Sequence, residues 1–131
     1  MGEPTDLIPA IDITDTGKFL SPILFDPHKY NGQSFTCATA FYTPLQLVEG
    51  WTRVTGKKVT YEQISDVNQG KSNLTEEMRK VLKESRGLIS KYSYFGPTGK
   101  KDLDWTLAQM TDAPTSWEEF VRANEPWFPT A

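Results

Sequence analysis

The sequence has one cysteine, one histidine and no long apolar run, and each shortage excludes a class of protein. Among 131 residues, a single cysteine cannot form an internal disulfide, and one cysteine with one histidine cannot supply a Cys/His zinc site. No run approaches the roughly 20 apolar residues that a membrane-spanning helix needs. The net charge of −3 argues against a nucleic-acid-binding protein, and the N-terminus MGEPTDLIPA lacks the features of a secretory signal. We therefore expect a cytoplasmic protein with neither nucleic-acid nor membrane partners.

Glycine and tyrosine patterns exclude the common nucleotide-binding motifs. The nine glycines form no G-x-G-x-x-G, the fingerprint of a dinucleotide-binding turn. The run from Gly96 to Lys101 looks like a phosphate loop, but Tyr94 stands where the first glycine is needed and Lys101 where Ser or Thr is needed. The Tyr-x-x-x-Lys pair of short-chain dehydrogenases is also absent. We therefore expect no bound cofactor and no metal.

The stretch 35–56 predicts a strand, a sharp turn and a helix with both ends specified. Residues 35–39 (FTCAT) are small, β-branched or apolar, which indicates a buried strand with Cys37 as an inert core thiol. Thr43 begins a T-x-x-Q capping box with proline at the first helical position, and Gly56 is typical of a helix end. Because α/β folds place sites at strand ends, we expect a ligand at the turn between this strand and helix.

Hydrophobic periodicity divides the rest of the chain into short strands and helices. Apolar or alternating segments predict strands at Ile8–Ile13 and Lys57–Ile64. Capping residues and apolar spacing predict helices that begin near Thr14, Asn73 or Thr75, Trp105 and Ser116. Residues 1–7 are predicted to be a disordered N-terminus, and residues 8–131 to form one lobe. The expected fold class is α/β with α+β character, a small lobe of roughly three short strands with four to five helices.

Three polar residues are candidates for proton transfer: Asp12, His28 and Tyr42. Asp12 stands in an otherwise apolar segment, where an unpaired carboxylate is costly to bury, so it faces water, forms a pair or works chemically. A surface loop alone also accounts for His28, which follows an Asp-Pro pair. In an enzyme, Asp12 or His28 would act as the base, and Tyr42 would donate a proton to a developing oxyanion.

Aromatic residues could line an apolar pocket for a hydrophobic small molecule. The candidates are Phe41, Tyr61, Tyr92, Tyr94 and Trp105. Aromatic side chains more often build the core of a protein, and the sequence leaves both roles open for each of them. The single interior glycine of the helix that ends near Tyr92, Gly87, predicts close packing at that point.

Three motifs, in their order along the chain, resemble the C-terminal half of NmrA-like proteins. They are I-D-I-x-D-T-G at 11–17, N-G-x-x-F at 31–35 and Y-T-P-L at 42–45. NmrA-like proteins are atypical members of the short-chain dehydrogenase/reductase superfamily and are frequent in fungi. The resemblance implies a small lobe on the substrate side, whose N-terminal Rossmann half, with its glycine-rich NAD(P) loop, is not in this sequence.

Two functions of different classes follow from this resemblance. One is a cofactor-independent enzyme, an isomerase, cyclase or lyase that acts on a hydrophobic specialised metabolite. The other is a non-catalytic regulatory or interaction module. A third possibility is an oxidoreductase lobe that a separate Rossmann-containing, NAD(P)-binding chain completes. Because the missing half would leave an apolar patch and a strand edge exposed, we also expect a homodimer.

Overall fold

The structure is a computed structural model that describes residues 3–63 and 74–127. Strands β1 (Ile8–Ala10) and β2 (Ala40–Tyr42) pair antiparallel, with Ile8 opposite Tyr42. A 3-10 turn at Ile13–Asp15 precedes α1 (Thr16–Phe25), which is followed by α2 (Pro44–Thr55), α3 (Glu76–Tyr92), α4 (Gly99–Gln109) and α5 (Trp117–Ala123). The predicted class, a small α/β lobe with α+β character, is confirmed, with two strands in the described residues. None of the described helices is long and apolar enough to cross a membrane.

The ends of α2 and α5 form as predicted. The Thr43 hydroxyl accepts from the backbone N–H of Gln46 at 3.2 Å, while the Gln46 side chain accepts from the backbone N–H of Thr43 at 2.8 Å. Gly56 ends α2 with a φ of 68°. Ser116 begins α5 with the same reciprocal arrangement, formed with Glu119. These hydrogen bonds satisfy amide groups that the first helical turn would otherwise leave unpaired.

The predicted buried strand at residues 35–39 is wrong, because the strand begins at Ala40. A side chain takes the place of a ladder partner in this segment: the Thr106 hydroxyl accepts from the backbone N–H of Thr36 at 2.9 Å. Thr106 lies on α4, 70 residues further along the chain. Residues 35–39 are therefore held by tertiary hydrogen bonds, which local propensity cannot reveal.

Two related predictions are also corrected. Cys37, expected in the core, is exposed, and burial of part of its side chain raises the pKa of its thiol. Residues 57–63 form no strand, and residue 64, the end of the predicted strand, lies outside the described residues. Residues 57–60 are exposed, so water can satisfy their backbone groups where no neighbouring strand does.

The most buried apolar side chains come from four separate parts of the chain. They are Phe19 on α1, Ala38 before β2, Leu103 on α4 and Val121 on α5. Helix α5 also packs against α2, where the Trp117 indole lies over Gly50. The core thus joins the N-terminal helix to the C-terminal one, and the short sheet lies beside that junction.

The contact between α2 and α5 depends on the absence of a side chain at Gly50. A Cβ atom there would lie 2.8 Å from Cδ1 of Trp117, closer than real side chains approach. Gly50→Ala is therefore expected to lower the free energy of unfolding by about 1–3 kcal/mol, because the indole or the helix must shift. Urea unfolding followed by circular dichroism measures this loss.

Gly87→Ala is the matched control. The structure corrects the expectation of close packing at Gly87, since a Cβ atom there would meet nothing within 4 Å. Alanine inside an exposed helix should stabilise α3 by up to about 1 kcal/mol. If Gly50→Ala were as stable as Gly87→Ala, the close packing of α2 on α5 would be refuted.

Candidate ligand site

A mostly apolar cleft of about 80 Å³ lies between the sheet and the start of α5. We call it the Tyr42 cleft; its walls include Ile11, Asp12, Tyr42, Thr115, Trp117 and Phe120. The residue after β1, the last residue of β2 and the capped start of α5 meet here. The predicted location, at the turn between β2 and α2, is therefore next to a real concavity.

Asp12 lies at the rim of the Tyr42 cleft, where the chain leaves β1. The sequence placed it inside a strand, but β1 ends at Ala10 and Asp12 is the N-cap of the 3-10 turn. Its Oδ1 accepts from the backbone N–H of Thr14 at 2.9 Å and from the Thr14 hydroxyl at 2.7 Å. Capping of the 3-10 turn accounts for the hydrogen bonds of one carboxylate oxygen of Asp12. The side chain is half-buried beside the cleft.

Tyr42 presents a polar group to the same cleft. Its hydroxyl oxygen accepts from the backbone N–H of Trp117 at 3.3 Å, so its own proton is available to a second acceptor. The Trp117 indole is fixed in turn, because its Nε1–H donates to the Leu47 carbonyl oxygen at 2.8 Å. Asp12 and Tyr42, two of the three predicted proton-transfer residues, therefore border one cleft.

Asp15 fixes one side of this cleft. From the sequence, Asp15 is recognisable only as a residue at the start of a helix. Its carboxylate is 2 % exposed and accepts from both the backbone N–H and the hydroxyl of Thr115, which is 100 residues away. Lys18 pairs with the same carboxylate at 2.8 Å and also donates to the Ala113 carbonyl oxygen at 3.0 Å. These contacts fix residues 113–115, of which Thr115 forms part of one wall of the cleft.

Burial raises the pKa of Asp15, but the hydrogen bonds from Lys18 and Thr115 lower it by more, so the net pKa lies below its usual value. The same hydrogen bond with Asp15 raises the pKa of Lys18. Asp15 is therefore ionised at neutral pH and acts as a charged tether. In the sequence, Asp15 belongs to the motif I-D-I-x-D-T-G. This motif does not indicate that Thr115 is the hydrogen-bond partner of Asp15.

The remaining candidate residues lie outside the Tyr42 cleft. His28 lies in the exposed turn after α1, and Tyr61 follows α2. Phe41 lies on the opposite face of β2 from Tyr42, as alternation in a strand requires, and packs edge-to-face on Phe95 at 6.0 Å. Tyr94 packs on the same Phe95 ring at 4.9 Å.

Tyr92 and Trp105 are each part of a different surface. Tyr92 is exposed at the end of α3, with Lys91 Nζ 4.9 Å from its ring centre. Trp105 packs edge-to-face on Phe35 at 5.4 Å and borders a polar cleft of about 470 Å³ with Lys101 and Asp102. The predicted set of aromatic residues therefore does not form one pocket.

A second cleft, of about 370 Å³, lies on the other side of Tyr42 and Trp117. It is polar, and the ion pair between Arg53 and Glu118 crosses it. The Tyr42 cleft and this polar cleft share the contact between Tyr42 and Trp117 as a common wall. Within residues 3–63 and 74–127, no group of three or more His, Cys, Asp or Glu side chains is placed to hold a metal ion.

The chain belongs to the NmrA-like family. The family profile matches residues 3–121, which include both strands, the Tyr42 cleft and most of α5. An NmrA-like family domain-containing protein of Dictyostelium discoideum is 30% identical over 111 residues, which cover 85% of this chain and 34% of that protein. The chain thus spans about a third of the length of this curated relative. No solved structure matches the chain.

The tether formed by Asp15 leads to a prediction about stability. Asp15→Asn removes the charge that pairs with Lys18 but keeps a side-chain oxygen for Thr115. We expect the free energy of unfolding to fall by about 1–3 kcal/mol at neutral pH, measured by urea unfolding. Asp104→Asn is the matched control, because its carboxylate is exposed and lies 3.9 Å from Lys100, and we expect a change below about 0.5 kcal/mol.

The effect of Asp15→Asn should also depend on pH. The pKa of Asp15 is lowered in the folded protein. The contribution of its charge to the free energy of unfolding is therefore complete above the unfolded-state pKa and is lost as the pH falls through the folded-state pKa. The stability difference between the wild type and Asp15→Asn should therefore be constant above about pH 5.5 and shrink below about pH 4. A difference that persists unchanged into acid would contradict a charged tether.

Proposed function

We propose that this chain is a ligand-binding lobe of an NmrA-like protein, and that the Tyr42 cleft takes an apolar group of a small molecule. The observation that carries the proposal is the composition of the cleft: apolar walls with two polar side chains, Asp12 and Tyr42, at one end. Binding sites for small molecules combine these features, since apolar area provides affinity and a few polar groups fix orientation. A space of about 80 Å³ is smaller than the roughly 300–1,000 Å³ of a complete ligand pocket, so the cleft would take one apolar group while the rest of the ligand lies outside it.

Family membership supports this proposal in a broader sense. The NmrA-like family suggests a regulatory or NAD(P)-related, reductase-like domain for the whole protein. A chain that spans a third of its relative would supply one part of such a protein, and we assign it the ligand rather than the cofactor. The tethered wall of the cleft favours binding, because a pre-formed site loses little conformational entropy when it is occupied.

Phenol is a suitable probe of the Tyr42 cleft, since it offers one ring and one hydroxyl group. We expect titration with phenol to shift the amide resonances of Ile11, Thr115 and Trp117 in two-dimensional NMR spectra. Tyr42→Phe removes one hydrogen-bonding group and should weaken phenol binding by about threefold to tenfold. Toluene, which has no hydroxyl group, should bind the wild type and Tyr42→Phe equally well.

Tyr94→Phe is the control for this experiment, because Tyr94 is exposed on a different surface. Its phenol affinity should equal that of the wild type. Resonance shifts that never saturate, or that avoid the three cleft residues, would refute the proposed site.

Catalysis in the Tyr42 cleft is a second candidate, favoured by the presence of Asp12 and Tyr42 in one cleft. The Tyr42 hydroxyl could donate its proton to an oxyanion while Asp12 accepts a proton from carbon, as an isomerase, cyclase or lyase requires. Exchange of the α-protons of cyclohexanone in heavy water, followed by NMR, probes this chemistry. Wild-type protein should accelerate exchange above the level of Asp12→Asn and Tyr42→Phe.

Two features make this experiment interpretable. Asparagine caps helices as well as aspartate does, so Asp12→Asn should keep the 3-10 turn intact. His28→Ala is the control, because His28 lies outside the cleft, and its rate should equal that of the wild type. Equal exchange with all variants would leave the ligand-binding proposal standing and reject catalysis.

A further inference from the structure

Helix α3 presents an apolar face to solvent along its whole length. None of its residues is buried, and the exposed fractions of Met78, Val81, Leu88 and Tyr92 are 53%, 60%, 59% and 54%. With Leu82, which is 39% exposed, and the half-buried Ile89, these residues follow the 3–4 spacing of a helix that packs against another helix. A continuous exposed stripe of this kind usually marks an interaction surface.

The rest of the lobe holds α3 from a different side. The Ser90 hydroxyl donates to the Asp6 carboxylate at 2.7 Å, and Arg86 is half-buried. At 100° per residue, Arg86 and Ser90 lie roughly 120° around the helix from the centre of the apolar stripe. The stripe therefore faces away from the lobe and is open to a partner.

Charge along one border of the stripe changes sign from one end of the helix to the other. Glu77 and Glu84 lie on this border in the first and third turns, and Lys91 lies on it in the last turn, each seven residues from the next. A second α3 that runs antiparallel brings Glu77 of each helix to Lys91 of the other. The macrodipoles of the two helices are then also opposed, which is the favourable arrangement.

We propose that the apolar face of α3 is an interface between two copies of this chain, whose α3 helices pack antiparallel and cross at Ser85. In this register, Met78 meets Tyr92, Val81 meets Ile89 and Leu82 meets Leu88. Two opposite-charge pairs between Glu77 and Lys91 flank the stripe, while the two Glu84 side chains approach each other near the axis. A helix of 17 residues is about 25 Å long, so this interface is small, and we expect a dissociation constant in the micromolar range.

Charge also decides between a second copy and an anionic lipid surface. A lipid-binding helix has lysine and arginine on both borders of its apolar stripe, whereas here Glu77 and Glu84 occupy one border and Arg79 and Arg86 the other. The chain as a whole carries a net charge of −3, which repels an anionic bilayer. The alternation of sign along the border instead complements an inverted copy of itself.

Sedimentation equilibrium on the full chain tests the proposal, with a reductant present so that exposed Cys37 cannot form a crosslink. Wild-type protein should show a reversible monomer–dimer equilibrium up to about 100 µM. Leu82→Glu places a charge in the stripe and should raise the dimer Kd more than about tenfold. Lys83→Glu changes the next residue, which lies off the stripe, and should leave the Kd within about twofold of the wild type.

Charge reversal tests the antiparallel register. Glu77→Lys and Lys91→Glu each convert both flanking pairs to like charges and should each raise the Kd by about fivefold. The double variant restores both pairs in the opposite sense and should return the Kd to within about twofold of the wild type. Circular dichroism confirms that each variant keeps its helix content.

Four results would overturn the proposal. One is wild-type protein that stays monomeric across the concentration range. Another is a double charge-reversal variant that is weaker than either single variant. The third is equal dimerisation of Leu82→Glu and Lys83→Glu, which would place the interface elsewhere. Retention of the monomer on vesicles of phosphatidylserine would assign the stripe to lipid and would reject the second copy as its occupant.

Discussion

The buried carboxylate of Asp15 is the constraint on which the rest of the candidate site depends. A charge that is 2 % exposed must be paired, and Asp15 is paired by Lys18 and by two groups of Thr115. Thr115 directly precedes the Ser116 cap of α5. One side chain directly before α1 therefore fixes the position in space of the residue that precedes α5, and with it the position of Trp117.

Trp117 connects the cleft to the packing of the helices. Its backbone N–H donates to Tyr42, its indole N–H donates to the Leu47 carbonyl, and its ring lies over Gly50. The residue that lines the cleft is therefore also the residue that docks α5 on α2. This shared role means that the shape of the cleft is set by the packing of the lobe before any ligand arrives, which is the physical meaning of a pre-formed site.

Local signals in the sequence predicted local structure well. The capping boxes at Thr43 and Ser116 and the left-handed Gly56 involve residues within four positions of one another, so the sequence contains both partners. The strand predicted at 35–39 is wrong because the backbone N–H of Thr36 donates to the Thr106 hydroxyl, on a distant helix. The partner of Asp15 was missed for the same reason.

The error in the strand boundary also affected the candidate site. A ligand at the turn after the strand does not contact both Phe41 and Tyr42, because adjacent strand residues point to opposite faces. Once β2 is known to be Ala40–Tyr42, Tyr42 lines the cleft and Phe41 packs on Phe95. Sequence reasoning found the two polar residues of the cleft, Asp12 and Tyr42, because carboxylates and hydroxyl groups next to apolar segments are conspicuous. It could not find Phe120 or Thr115, which only tertiary structure brings there.

The Tyr42 cleft and helix α3 are linked by one short segment. Asp6 accepts a hydrogen bond from Ser90 of α3, and six residues later Asp12 borders the cleft, with β1 between them. A partner that orders α3 and a ligand that orders residues 10–12 therefore act on the two ends of the same strand. Linkage makes any such coupling reciprocal: the factor by which association changes the ligand affinity equals the factor by which the ligand changes association. With the proposed ligand in the cleft and the proposed second copy on α3, each would influence the other through β1 without any catalysis.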